Sequence, residues 1–140
     1  MNESQRSLSG VRILVVEGHT DEAEMYQIVL SLYGAEVRVV DSAEVGLEVL
    51  KAWRPDALVG EIGVSEYDRY ALIRAVRTMD ASETSHVKAV AISGRTRPID
   101  RAQALEAGYD AFVPKPVDVE GLVDELSRLV DFAGNAARSW

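Results

Sequence analysis

The sequence predicts an α/β fold, a parallel β-sheet with helices packed on both faces. Two observations carry that expectation. Short apolar runs alternate about five times with segments of helical periodicity, the pattern of successive βα units. The apolar content, 47% of the chain, is mostly Val, Leu, Ile and Ala with only 6% aromatics, which suits strands buried on both sides. At 140 residues the chain has the length of one domain.

The elements follow in order. Residues 13–16 form a continuous apolar run that ends in a polar loop, 17–21, and read as a buried strand. From Asp21 the apolar residues Ala23, Met25, Tyr26, Val29, Leu30, Leu32 and Tyr33 recur at helical spacing. Asp21 is the expected N-cap, Glu24 completes a capping box and Gly34 stops the helix. Residues 36–40 alternate as a strand. Residues 41–44 offer a second capping box before an amphipathic helix through Lys51. Pro55 precedes a strand over 57–62, and Ala71, Leu72, Ala75, Val76 and Met79 mark a third helix. Residues 87–92 are the most apolar strand, ended by Ser93 and Gly94. Pro98 opens a helix through about Ala107, because its fixed φ suits a first turn, and Gly108 ends it. A short strand, 111–113, reaches Pro114, Lys115 and Pro116, and a last helix runs over about 119–130.

Composition excludes several classes of function. A formal charge of −8 argues against nucleic-acid binding and against adhesion to an anionic membrane. Without cysteine there is no disulfide framework, thiolate metal site or Cys nucleophile. The apolar runs are too short to span a bilayer, and the polar N-terminal stretch lacks a signal-peptide core, so a cytoplasmic location is expected. Residues 1–10 read as a flexible N-terminal tail, 11–131 as the domain and 132–140 as a C-terminal tail.

In a parallel α/β sheet the functional groups gather at the carboxyl ends of the strands. Those ends carry Glu17, Glu61, Ser93 and Lys115, with His19 and Asp21 in the first loop. Acidic residues after strands are common as loop and N-cap residues. Two carboxylates, a hydroxyl and a lysine at four strand ends nevertheless point to one polar site.

Four segments then resemble the response-regulator receiver domain. RILVVEGH (12–19) is similar to its first strand and acidic pair, and GAEV (34–37) to its turn into the second strand. RPDALVGEIG (54–63) resembles the approach to the phosphorylated aspartate, and ALEAGYDAFVPKP (104–116) the final helix–strand segment with its lysine. The resemblance covers Arg12 to about Leu129. It implies a flavodoxin-like, doubly wound, five-stranded parallel sheet in the order 2-1-3-4-5. It also implies a signalling module of two-component or hybrid histidine kinase systems rather than an enzyme. In that family an aspartate takes a phosphoryl group from a phosphohistidine with Mg²⁺ held by the acidic residues. Ser93 would match the switch hydroxyl, Phe112 the switch aromatic and Lys115 the lysine that holds phosphoryl oxygens.

The remaining positions depart from the pattern. Glu61 stands where the acceptor aspartate should be, and Glu17 and Gly18 stand where the acidic pair should be. Glu61 displaces the nucleophile by on the order of 1 Å, which can cost about 100-fold in a positioned reaction. Gly18 deletes a carboxylate from a site whose metal rests on one or two of them. In the following turn, 64–67 lacks the usual proline and Arg69 replaces a usual glycine. The expectation is an atypical pseudo-receiver: no cofactor and no metal, with Glu17 and Glu61 only as weak Mg²⁺ candidates. The alternative is residual Mg²⁺-dependent phosphoryl acceptance, with Asp56 at the far end of its strand and Asp68 offset into the loop. Glu61 either mimics a phosphorylated state, with one charge against roughly 1.5 to 2, or pairs with Lys115 to hold the fold.

An unrelated small α/β enzyme has no support, since neither a Gly-rich phosphate loop nor a Ser/His/Asp arrangement is present. His19 reads as a hydrogen-bonding loop residue and His86 as exposed. Trp53 and Trp140 read as packing and tail residues. Arg95 and Arg97 after Ser93, with Arg101, form the local basic cluster, which reads either as a solvated face or, since the resemblance implies docking on the helix after Ser93, as part of a partner surface. The expected partner is a protein: a histidine kinase, a phosphotransfer domain or an output protein. Oligomeric state is open.

Overall fold

A computed structural model describes residues 7–63, 69–79 and 86–138. Five strands and five helices alternate: β1 (Arg12–Val16), α1 (Thr20–Leu32), β2 (Glu36–Val40), α2 (Ala43–Trp53), β3 (Ala57–Glu61), α3 (Ala71–Arg77), β4 (Lys88–Ser93), α4 (Pro98–Ala107), β5 (Ala111–Pro114) and α5 (Val119–Arg138). All pairings are parallel and the strand order is β2-β1-β3-β4-β5, the flavodoxin-like order.

Because side chains alternate across a strand, the apolar runs feed two cores at once. Ile13, Val15, Val59, Val90, Ile92 and Val113 pack with Tyr26 and Leu30 of α1 and Leu122, Val123 and Leu126 of α5. On the other face Leu14, Leu58, Ala89, Ala91 and Phe112 pack with Leu50 and Trp53 of α2, Ile73 and Val76 of α3, and Ala104 of α4. Trp53 is a packing residue, with the Arg38 guanidinium stacked 4.5 Å from its ring centre.

Several local expectations are corrected. The cap of α1 is His19, without a side-chain hydrogen bond, and Asp21 lies in the first turn beside Glu22. There the two carboxylates face the positive end of the helix dipole instead of closing a capping box with Glu24. At α2 the cap reduces to one bond, Ser42 Oγ accepting from the Val45 N–H at 3.2 Å, and the helix runs to Trp53 rather than Lys51. β4 and β3 are displaced by a residue at their ends, within the usual fraying of such limits.

Two further differences concern the termini. Leu8, placed by its sequence in a polar tail, is 0% exposed in the α1–α5 core, and its N–H donates to the Tyr33 carbonyl at 2.8 Å. A lone leucine gives no periodic signal, so only the packing reveals it. The backbone of α5 is helical through Arg138, beyond the expected stop at Val130, as an alanine-rich stretch without proline allows. The segment 64–68, with the altered turn and Asp68, and Trp140 lie outside the described residues.

Gly60, inside β3, is held to its size by a neighbour: a Cβ there would stand 2.7 Å from the Tyr109 hydroxyl oxygen. Gly60→Ala is therefore expected to destabilise the fold by about 1–3 kcal/mol, the usual range for overpacking. Adding Tyr109→Phe should recover part of that loss, since the collision is with the hydroxyl. Urea denaturation of the two variants checks this. A double variant no more stable than the single one would place the strain elsewhere.

Candidate functional site

The carboxyl ends of β1, β3, β4 and β5 converge on one polar cluster, as the topology requires. Glu17 follows β1, and its N–H is anchored on the Val40 carbonyl at 2.9 Å. Its side chain turns inward, leaving the residue 2% exposed. Glu17 Oε2 accepts from the His19 N–H at 3.0 Å and lies 2.9 Å from His19 Nδ1. The same Nδ1 lies 3.3 Å from Glu61 Oε1, so one imidazole nitrogen bridges two carboxylates. Glu17 Oε1 is buried without a hydrogen-bond partner.

Lys115 closes the other side. Its ammonium donates to Glu61 Oε2 and lies 2.7 Å from Glu22 Oε1. Its backbone N–H is held by the Ser93 carbonyl at 2.8 Å, and the Lys115–Pro116 peptide is cis. One donor atom each from Glu17, His19, Glu22 and Glu61 lie within 4.8 Å of one another.

The electrostatics follow from burial and crowding. Burial, followed by the neighbouring Glu61, pushes the Glu17 carboxyl up to about 7, against the opposing hydrogen bonds from His19. Burial also works against ionised Glu61, but its hydrogen bonds with Glu17 and Lys115 prevail and hold its carboxyl below the usual range. Lys115 is likewise disfavoured by burial, yet Glu22 and Glu61 raise its pKa above the ordinary lysine value. The His19 imidazole is raised chiefly by Glu17 and then by Glu61.

Of the residues expected at the site, Glu17, His19, Glu61 and Lys115 meet. Gly18 lines the adjoining cleft of about 320 Å³ with His19, Glu61 and Arg69. Ser93 is at its strand end and 2% exposed, but its hydroxyl accepts from the Arg95 N–H at 3.0 Å. Among the described residues no hydrogen bond joins it to Glu61. Phe112 is buried in the α2–α4 core. Asp56 sits at the opposite end of β3, its carboxylate accepting from the Arg12 N–H at 2.9 Å, as its position before the strand predicts. His86 is exposed. Glu22 is the residue the sequence reading missed. A start of α1 at Thr20 rather than Asp21 would have turned Glu22 toward the strand ends.

This geometry can now be set beside known proteins. A family model described as the response regulator receiver domain matches residues 13–127. The chain belongs to the receiver domain family. It is 34% identical over 125 residues to an uncharacterized 14.6 kDa protein of Leptolyngbya boryana, covering 89% of this chain and 91% of that protein. It is also 34% identical over 129 residues to the transcriptional regulatory protein PrrA of Mycobacterium tuberculosis. That match covers 91% of this chain but 53% of the regulator, so the receiver spans about half the length of such relatives. The crystal structure of a response regulator from Chloroflexus aurantiacus superposes with a TM-score of 0.79 at 26% identity, covering 86% of this chain and 98% of that one. The receiver domain of a Syntrophus aciditrophicus histidine kinase gives a TM-score of 0.77 at 25% identity, covering 87% and 91%. No helix among the described residues is long and apolar enough to cross a membrane.

The raised pKa of Glu17 has a measurable consequence. A carboxyl raised in the folded state contributes stability that is full below about 4.5 and is lost as the pH rises through about 7. Glu17→Gln keeps an acceptor for His19 and removes the ionisation. At pH 8 this variant is expected to be more stable than the parent by on the order of 1 kcal/mol, with the difference vanishing near pH 4.5. Denaturant titrations at the two pH values check it, and a parent that loses ground to Glu17→Gln as the pH falls would contradict the sign.

Proposed function

We propose that this receiver acts as a protein-interaction module in two-component signalling and does not undergo ordinary aspartyl phosphorylation. The observation that carries the reading is the engagement of Lys115. The lysine that in this family holds phosphoryl oxygens is here bound by Glu61, at the acceptor position, and by Glu22. A phosphoryl group entering the site would have to break both ion pairs and displace the carboxylate of Glu61. Glu61 is better read as a fixed partner of Lys115 than as a phosphate mimic. A mimic would also draw in the Ser93 hydroxyl, and among the described residues no hydrogen bond joins that hydroxyl to Glu61.

The residues fit Mg²⁺ poorly. Mg²⁺ requires near-octahedral oxygen coordination, whereas the set here mixes three carboxylates with an imidazole nitrogen. Gly18 supplies no carboxylate, and the Lys115 ammonium already balances two of those present. The partner is a protein of the same signalling class, a histidine kinase, phosphotransfer domain or output protein, met in the cytoplasm.

One observation favours a second reading, residual Mg²⁺-dependent phosphoryl acceptance: the closeness of the Glu17, His19, Glu22 and Glu61 donors. Incubation with acetyl phosphate and Mg²⁺, read by intact mass, separates the two. No phosphoryl adduct is expected, and a stable one would establish the second reading. Glu61→Asp alone is expected to restore little. Combining it with Gly18→Asp should restore Mg²⁺ binding measurable by calorimetry. The new side chain has room, because a Cβ at position 18 would stand 3.6 Å from the Asp41 carbonyl oxygen, an ordinary contact. Strong phosphorylation of the Glu61→Asp single variant would refute the metal argument.

A further inference from the structure

A second concave site lies between the start of α3 and α4, and its charge is opposite to that of the chain. Arg69, Arg74, Arg95 and Arg97 line a groove of about 800 Å³, with Glu106 as the one lining carboxylate among the described residues. That size is in the range of small-molecule sites. On a protein of formal charge −8, four arginines in one groove oppose the general field of the surface.

Two features show that the groove is built rather than incidental. Arg69 Nε is buried and has no hydrogen-bond partner. Half-buried at the groove wall and without an ion pair among the described residues, the Arg69 guanidinium keeps its charge for an anion that enters. Arg97 is pre-oriented: its Nε and Nη2 bond Asp100 at 2.9 and 3.1 Å, and Asp100, itself buried, also accepts from the Arg97 N–H at 3.0 Å. The Arg74 guanidinium rests over the Tyr70 ring, 5.7 Å from its centre, and Tyr70 also lines the groove.

We propose that this four-arginine groove binds a small ligand carrying two or more linked phosphate groups. Guanidinium forks match phosphate oxygens in a bidentate manner, and several converging on one cleft suit a compact polyanion. A long nucleic acid would have to lie across the surrounding acidic surface, which disfavours it. Linked phosphates are found both free and on nucleosides, and Tyr70, which lines the groove, offers an aromatic ring to the latter. The proposal is independent of whether Glu61 accepts phosphate.

The test is calorimetry of the intact chain with inorganic pyrophosphate and, separately, with adenosine diphosphate, both without metal. Saturable one-to-one binding is expected, weakened about 10-fold by Arg69→Ala and by Arg74→Gln, the loss of one charge-assisted contact each. Arg74 is exposed, so its variant keeps the test valid should Arg69→Ala misfold. Arg128→Gln, on α5 and paired with Glu125, should leave binding unchanged. Tighter binding of the nucleotide, abolished by Tyr70→Ala, would assign a nucleotide ligand. Equal binding would assign the free polyphosphate, and either result supports the site. Absence of saturable binding to both probes overturns the proposal. So does an equal loss in Arg128→Gln, or a hexaglutamate peptide that binds tighter than pyrophosphate, which would make the groove a docking surface for acidic peptides.

Discussion

The four strands inward of the edge strand β2 are covered on both faces and leave a charged side chain two places to go, the strand ends or the outer surfaces of the helices. Leu14, Leu58 and Ala91 fill one face while Val15, Val59 and Ile92 fill the other, so no strand interior can carry a carboxylate. Glu17, Glu61 and Lys115 occur where the strands stop, and the parallel arrangement brings all three stops to one edge. The cluster is thus a product of the same burial that holds the sheet together. Opposite it, Asp56 caps the other edge by accepting from the Arg12 N–H, a structural role for a carboxylate in similar sequence surroundings.

The fold was legible because its signals are periodic and repeated. Continuous apolar runs, helical spacing and the stops at Gly34 and Gly108 recur through the chain, and each βα unit supports the next. Both glycines have positive φ, the conformation that marks a helix end. What escaped depends on single side chains whose partners are distant. Leu8 gains its burial from α1 and α5, and the Arg77 guanidinium ties Gly108, Val87 and Asp110 together without any local pattern to announce it. At the site, Glu17, Glu61 and Lys115 were legible from strand ends alone. Glu22 was not, because its inclusion turns on whether α1 begins one residue earlier, a detail of capping rather than of periodicity. Ser93 was placed correctly, but its hydrogen bond to the Arg95 N–H comes from a tight loop that sequence spacing does not specify.

Three carboxylates with oxygens within 4.8 Å of one another are tolerated because the protein supplies its own cations. Lys115 neutralises Glu61 and Glu22 directly, while His19 shares Nδ1 between Glu17 and Glu61. The division of labour is uneven. Glu61, with the lysine, is held in its charged form, and Glu17, deeper and facing only an exposed imidazole, is pushed toward its protonated one. The two acids therefore differ in role through environment rather than through residue type. A site that balances its charge internally has less to gain from an added divalent ion than one that presents bare carboxylates.

Arg69 connects this balance to the rest of the surface. It lines both the cleft that holds His19 and Glu61 and the four-arginine groove on the far side. The N–H of Arg95, which also lines that groove, is the donor to Ser93 Oγ. The strand end that carries Glu61 is engaged by the ammonium of Lys115. Among the described residues the two neighbouring sites each hold one buried polar atom without a partner, the donor Arg69 Nε on the arginine side and the acceptor Glu17 Oε1 on the carboxylate side.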